Sequence, residues 1–493
     1  MTRAVELPHL ATVGGRTRLI VDGEPFLIRG GELGNSSAER SYLAPFWDKF
    51  ERLNLNAVVA PVYWDVVEPV EGGFDWTSVD ELLEDARTHG MRLVLLWFGS
   101  WKNSMSCYAP AWVKTDPERF PRCRDSAGRA LEILTPFSQT NAEADARAFA
   151  ALMAHLRETD PGHTVVLVQV ENEIGMIPEA RDHCPAAVAA WAKSDLAGDD
   201  VRAEEVFMAD AFARYVQQVA AAGKAELDLP MYTNAALIRP GYEPGQYPSA
   251  GPLPHLADVW LAAAPALDFI APDVYFPNFA HWADAYAEVG PLFVPEALRS
   301  PDAAANALYA FGAHGAIGFS PFGIESIEEP AASLLADSYD LVAQLAPLLT
   351  AADPGSTLAL LPPASANQPA PHRVRLGDLA LDAVYERVAA PSLADGVINE
   401  SGDRARDTTT LPAAAIVVQT GADELVLAGI GVTVTFAAAD ASVGILSCEE
   451  GCYADGEWAH LRWLNGDQTH QGRHVRLEPG RFAVQRVRLY RYR

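Results

Sequence analysis

The segment Val165-Val166-Leu167-Val168-Gln169-Val170-Glu171-Asn172-Glu173-Ile174-Gly175 decides the fold. Its apolar run leaves no side for solvent, which is the pattern of a parallel strand covered on both faces rather than of a half-exposed one. The run then closes on two carboxylates and an amide, groups that are costly to bury unless they are bonded. A buried strand with such groups at its C-terminal end points to the catalytic mouth of an α/β barrel. The simpler alternative is a polar cap for the helix that follows.

Working outward, seven more short apolar runs read as strands: Phe26–Gly31, Ala57–Tyr63, Arg92–Phe98, Pro230–Thr233, Phe269–Val274, Leu292–Pro295 and Ala316–Phe319. Between them apolar residues recur at helical spacing, as in Phe149, Leu152, Met153 and Leu156, in Phe212, Tyr215, Val216 and Val219, and in Leu334, Leu341, Leu345 and Leu348. Eight strands alternating with helices predict an α/β chain closed into a (β/α)8 barrel. From Phe98 to Glu173 is 75 residues and from Glu173 to Asn234 is 61, against roughly 30 for a minimal unit. The third and fourth units therefore carry insertions, which in barrels build the walls of the site.

After Pro347 the texture changes. Ala351–Gly355 and the Pro362–Pro371 stretch read as a junction, and Ala414–Gln419, Glu424–Leu427 and Val432–Phe436 read as strands of a smaller all-β, sandwich-like domain. The expected organisation is a catalytic barrel with its lead-in strand over residues 1–350 and the β domain over residues 351–493. Seven arginines crowd the C-terminus (Arg473, Arg476, Arg481, Arg486, Arg488, Arg491 and Arg493), and pairing with acidic neighbours along a solvated strand is the expected reading.

With 37 basic and 65 acidic residues among 493, the formal charge of −28 argues against a nucleic-acid or anionic-membrane partner. A hydrophobic fraction of 49% and a charged fraction of 21% are ordinary globular values. The N-terminus lacks a secretory pattern, and five cysteines (Cys107, Cys123, Cys184, Cys448, Cys452) form no disulfide framework, so a reducing cytoplasm is expected. Cys448 and Cys452 lack the companions of a zinc site. No metal or organic cofactor is expected, and the Ala-rich helices permit a homo-oligomer.

Glu296 closes Leu292-Phe293-Val294-Pro295, the seventh strand. Alone it reads equally as a structural glutamate paired with Arg299. Glutamates at the ends of strands four and seven, however, can face each other across a barrel, as two-carboxylate glycoside hydrolysis requires. Aromatic residues at strand ends (Tyr63, Trp64, Trp97, Phe98, Trp101, Tyr275, Phe276, Phe319) could stack on sugar rings, although any one of them is more often core. Glu32, Asp65, Glu68, Asn103 and Asn234 are the remaining polar groups near strand ends.

These residues resemble the glycoside hydrolases of clan A, and most nearly family 35 β-galactosidases of the bacterial branch with a C-terminal β domain. Val21-Asp22-Gly23-Glu24-Pro25-Phe26 with Gly30-Gly31-Glu32-Leu33 looks like the family's opening strand. Tyr63-Trp64-Asp65, Glu68-Pro69 and Gly73-Phe74-Asp75-Trp76 look like its second motif, and Gln169 to Gly175 like its acid/base motif. Over residues 15–350 the resemblance implies Glu173 as acid/base, Glu296 as nucleophile, Asn172 as partner of the substrate 2-hydroxyl and Tyr275 as partner of the nucleophile. From their places at strand ends, Glu32, Tyr63, Trp64, Trp97, Trp101, Asn103 and Asn234 are the further expected substrate contacts. Three departures stand out: Leu96–Trp101 replaces the usual Cys-Ala-Glu-Trp sugar contact, Asp65 replaces an asparagine, and the segment around Glu296 is nearer family 42.

The implied function is a retaining exo-β-glycosidase that hydrolyses terminal non-reducing β-D-galactosides. Within the same chemistry, a β-glucosidase, an α-L-arabinopyranosidase or a transglycosylase stays open. A carbohydrate-binding protein without catalysis is a more distant reading, at odds with the presence of both glutamates.

Overall fold

The structure is a computed structural model that describes residues 6–363, 371–388 and 410–493. A small antiparallel sheet, His9–Val13, Arg16–Val21 and Glu24–Pro25, leads into the barrel. Eight parallel strands then close on themselves: β1 (Ile28–Glu32), β2 (Ala57–Tyr63), β3 (Arg92–Lys102), β4 (Val165–Asn172), β5 (Met231–Ala236), β6 (Phe269–Val274), β7 (Phe293–Ala297) and β8 (Gly318–Pro321). All eight expected strands are present. Every residue of β2 and of β4 is buried, as their unbroken apolar runs require.

Helices cover the barrel from outside: α1 (Thr77–Thr88), α2 (Gln139–Thr159), α3 (Val201–Glu226), α4 (Phe279–Val289), α5 (Ala303–His314) and α6 (Ala331–Ala351). The inward stripes behave as their spacing predicts, with Phe149, Leu152, Met153 and Leu156 of α2, and Phe212, Val216 and Val219 of α3, fully buried.

The strand ends differ from expectation mainly at β3, which continues past Phe98 to Lys102. The pairing of β3 with β4 slips there: Trp97 lies opposite Val170 and Lys102 opposite Asn172, so four residues of β3 bulge out opposite Glu171 alone.

Beyond α6, a six-stranded antiparallel sheet (Thr357–Leu360, Ala414–Gly421, Glu424–Ile430, Ala483–Tyr492, Ser442–Ala454, Glu457–Trp463) faces a four-stranded one (His372–Leu376, Leu379–Tyr385, Val432–Ala438, Val475–Leu477). Residues 364–370 of the expected junction lie outside the described residues. Alternate residues of the six-stranded sheet serve two cores. Ala415, Val417, Leu425 and Leu427 join Leu379, Leu381, Val432 and Val434 inside the sandwich. Ala414, Ile416, Val418, Val426 and Ala428 instead join the core of the barrel. Gly312 of α5 lies at that seam, where a Cβ would come 3.0 Å from Ile416 Cγ1.

Six of the seven C-terminal arginines pair with acidic neighbours as expected, whereas Arg473 meets His470 Nε2 at 2.9 Å. Arg476 meets Glu386 and Glu478, Arg481 meets Glu450, Arg488 meets Glu424, and Arg491 meets Asp378 and Asp423. Arg486 and Arg493 sit farther from Glu449 and Asp440, at 3.9 and 3.8 Å. Cys448 is buried in the sandwich whereas Cys452 is exposed. No helix among the described residues is long and apolar enough to cross a membrane.

Candidate active site

Glu173 follows β4 directly and Glu296 lies in β7, and both are buried, at 6% and 4% exposure. Glu171 and Glu173 have positive φ, 63° and 42°, a region that non-glycine residues enter at a cost and that clusters at functional sites. That turn aims the Glu173 carboxylate into the mouth, and its backbone N–H is fixed by donating to Asn234 Oδ1 at 2.9 Å. The other amide atom of Asn234 donates to Asp273 Oδ2 at 2.6 Å. Asp273 is the register neighbour of Glu296 on β6.

One carboxylate oxygen from each of Glu173, Asp273 and Glu296 lies within 4.8 Å of the other two, close enough to share a cation. The positive charge in this cluster comes from Lys102, buried at the end of β3. Burial alone would lower its ammonium, but Glu296, Glu173, Glu32 and Asp273 raise it above the usual lysine range. A second group with metal-ligand spacing, Asp48, Glu51 and His89, lies at the surface.

Lys102 donates to Asn172 Oδ1 at 2.7 Å. An ammonium can only donate, so the amide oxygen must face it, and Asn172 Nδ2 is left buried and unpartnered. Asn103, next on the same segment, donates to Glu173 Oε2. Tyr275, at the end of β6, donates its phenol O–H to Glu296 Oε1 and leaves Oε2 buried without a partner.

Three of the carboxyls at this end of the barrel, Glu296, Glu32 and Asp273, are raised by burial and by their neighbours. Burial first, then the charge of Glu173, pushes the Glu296 carboxyl up to about 7, while Lys102 and the Tyr275 hydrogen bond pull it down. Burial and then Glu296 hold Glu32 well above the usual carboxylate range, and the same causes, with Glu173, raise Asp273. Carboxyls so close cannot all ionise, and the proton they retain belongs to the group. Such strongly shifted, mutually coupled carboxyls in a barrel mouth mark acid/base chemistry.

The expected site residues Glu32, Asn103, Asn172, Glu173, Asn234, Tyr275 and Glu296 thus gather at one end of the barrel. Three expected sugar contacts do not join them. Trp64, Trp97 and Trp101 are fully buried. Their indole N–H groups are already used, by Glu68 Oε2 (2.8 Å), Asp145 Oδ1 (2.8 Å) and the Leu134 carbonyl (3.1 Å). Their faces pack on protein, so they support the wall without offering a surface to a ring. Tyr63 is buried with an unpartnered hydroxyl and stacks on Tyr108 with ring centres 5.2 Å apart. Glu68 is consumed by Trp64 and the Gly72 N–H. Arg299 reaches the Phe322 and Gly323 carbonyls rather than Glu296, which removes the structural-pair reading.

Lys102 and Asp273 were not expected. The signal for Asp273 was present, since it stands two residues before Tyr275 on one strand. A lone lysine after nine buried strand residues, Leu93–Trp101, also asked for an explanation.

A β-galactosidase family model matches residues 39–201. It is the family 42 model, whereas the sequence motifs resemble family 35 most nearly, and its span includes Glu173 but ends before Glu296. A domain of unknown function, DUF5597, matches residues 335–476. The chain is similar to a β-galactosidase of Xanthomonas manihotis, 28% identical over 183 residues, a match that spans 36% of this chain and 28% of that protein. Among solved structures, the β-galactosidase of the psychrophilic Marinomonas ef1 superposes with a TM-score of 0.50 at 14% identity, covering 64% of this chain and 60% of that one. The cold-adapted β-galactosidase of Rahnella sp. R3 gives 0.49 at 16%, covering 66% and 57%. At 14% identity the Marinomonas likeness is one of fold, a barrel of the kind described above.

Proposed function

We propose that this protein is a glycoside hydrolase that removes terminal non-reducing β-D-galactosyl groups with retention, by double displacement. The observation that carries the reading is the closeness of the Glu173 and Glu296 carboxylates, whose nearest oxygens lie within 4.8 Å. Retaining enzymes hold the two groups about 5–5.5 Å apart, and inverting ones about 6.5–9.5 Å to admit a water. The similarity to β-galactosidases over the first barrel units supports the galactoside.

In this reading Glu296 Oε2 attacks the anomeric carbon while Tyr275 holds Oε1. Glu173 gives a proton to the leaving oxygen, then takes one from the water that releases the sugar. Asn172 Nδ2 donates to the 2-hydroxyl, and the unpartnered carboxyl oxygens of Glu32 and Asp273 take further hydroxyls of the ring. Five unpaired cysteines fit a reducing cytoplasm.

The test is Glu296→Gly assayed with an activated aryl β-galactoside and azide. Activity lost by about a thousandfold or more and regained with azide as the α-galactosyl azide is expected, whereas near-normal turnover without azide would sink the nucleophile. Equal rates on aryl β-glucosides and β-galactosides would remove the galacto specificity and leave the mechanism.

A further inference from the structure

Glu171 takes no part in the chemistry above, yet it stands two residues before the acid/base, fully buried, beside a second buried carboxylate, Asp145 of α2. Opposite it β3 bulges, and a bulge strands backbone N–H groups that the ladder would otherwise satisfy. Here side chains satisfy them. Glu171 Oε2 accepts from the Trp101 N–H at 2.7 Å, and Asp145 Oδ2 accepts from the Ser100 N–H at 3.0 Å. Asp145 Oδ1 accepts from the Trp97 indole at 2.8 Å, and the Tyr215 phenol adds a longer contact to Oδ2 at 3.4 Å.

We propose that Glu171 and Asp145 form a carboxyl clamp that shapes the β3 bulge and thereby positions Lys102 and Asn103 against Asn172 and Glu173. This rests on the acid/base role given to Glu173 above. The residues that leave the bulge, Lys102 and Asn103, are the ones that orient the Asn172 amide and touch the Glu173 carboxylate.

The clamp holds one proton, and the geometry says where. Both oxygens of Asp145 already accept from N–H donors, the bonding pattern of a carboxylate that can still accept one more hydrogen. Glu171 has a spare oxygen, Oε1, that no N–H or O–H reaches. It faces Asp145 across Gly99, where a Cβ would lie 2.6 Å from Glu171 Oε1 and 2.7 Å from Asp145 Oδ1. Two adjacent ionised carboxylates with no cation between them repel strongly in a dry core. A proton on Glu171 Oε1, donated to Asp145, removes the repulsion. The direction of the Glu171 shift agrees: burial and then Asp145 raise its carboxyl well above the usual range.

The two residues are therefore not interchangeable. Glu171→Gln mimics the protonated acid, its amide oxygen taking the Trp101 N–H and its NH2 donating to Asp145. Asp145→Asn turns an NH2 against an N–H. Each variant is compared with wild type in thermal unfolding and in kcat/KM, which reports formation of the glycosyl-enzyme, on two aryl β-galactosides, one with a 2,4-dinitrophenolate leaving group that needs no proton and one with a poor leaving group that does. Glu171→Gln is expected to keep kcat/KM within about fivefold on both substrates and to keep the melting temperature. Asp145→Asn is expected to lower the melting temperature and, through a displaced Glu173, to lose about a hundredfold on the poor leaving group but less than tenfold on the dinitrophenyl substrate. Equal damage from both variants, or a loss that ignores the leaving group, would overturn the clamp. Should Asp145→Asn fail to fold, Glu171→Gln decides alone, since a hundredfold loss there has the same force. A wild type inert on every aryl glycoside would sink the reading of the site instead, and the thermal ranking of the two variants would then judge the clamp.

Discussion

Among single residues, Tyr275 and Glu296 make the sharpest pair. Catalysis needs Glu296 ionised, and burial with Glu173 works against that by pushing its carboxyl up to about 7. The Tyr275 O–H favours the ionised form, so its removal must move the carboxyl further up and leave less nucleophile at neutral pH. Tyr275→Phe is therefore expected to shift the acid limb of the kcat/KM profile toward alkaline pH by about one unit and to cost about tenfold at pH 7. An unmoved limb would remove Tyr275 as the partner of the nucleophile. At this scale the sequence was readable where a polar residue ended an apolar run, as at Asn172, Glu173, Glu296 and Tyr275. It misled at Trp97 because strand alternation does not say which parity faces the barrel axis and which faces the helices, and at Trp64 and Trp101 because they lie just past β2 and inside the β3 bulge, where alternation no longer holds. In a barrel both sides are apolar, and both accept tryptophan.

Strands and helices were legible by their periods, and all eight barrel strands lie where short apolar runs predict them. What could not be read was the course of β3 beyond Phe98, since its bulge is stabilised by carboxylates from β4 and α2 that are 70 and 45 residues distant from the N–H groups they accept. Such a long-range exchange leaves no local period. Gly99 is its one local mark. A Cβ there would approach Trp97 Nε1 to 2.3 Å as well as the two carboxylates, and since the indole is bonded to Asp145 Oδ1 and Glu171 to the Trp101 N–H, these side chains cannot retreat without exposing a buried donor. Gly99→Ala is expected to destabilise the fold by roughly 2–3 kcal/mol in denaturant unfolding. A neutral result would mean that the bulge is slack and that its shape owes nothing to the carboxyl pair.

At the scale of the whole molecule, the texture change after Pro347 announced an all-β region but not how it attaches. Attachment depends on the second face of a sheet, and Ile416, Val418, Val426 and Ala428 reveal it only once Val417, Leu425 and Leu427 are known to point the other way. A sheet buried on both faces ties sandwich and barrel into one apolar body, so the wild type is expected to unfold in a single calorimetric transition. Gly312 offers the lever on that seam. Besides Ile416, a Cβ there would meet Ala359 Cβ and the Leu358 carbonyl, both at 3.2 Å, and the carbonyl is backbone that cannot turn aside. Gly312→Leu adds three further carbons to the clash. It should cost about 1–3 kcal/mol and separate the melting of the sandwich from that of the barrel, seen as two calorimetric peaks where the wild type gives one. An unchanged single peak at the wild-type temperature would show that the seam tolerates a leucine, and that close packing of α5 on the sheet is not what couples the two parts.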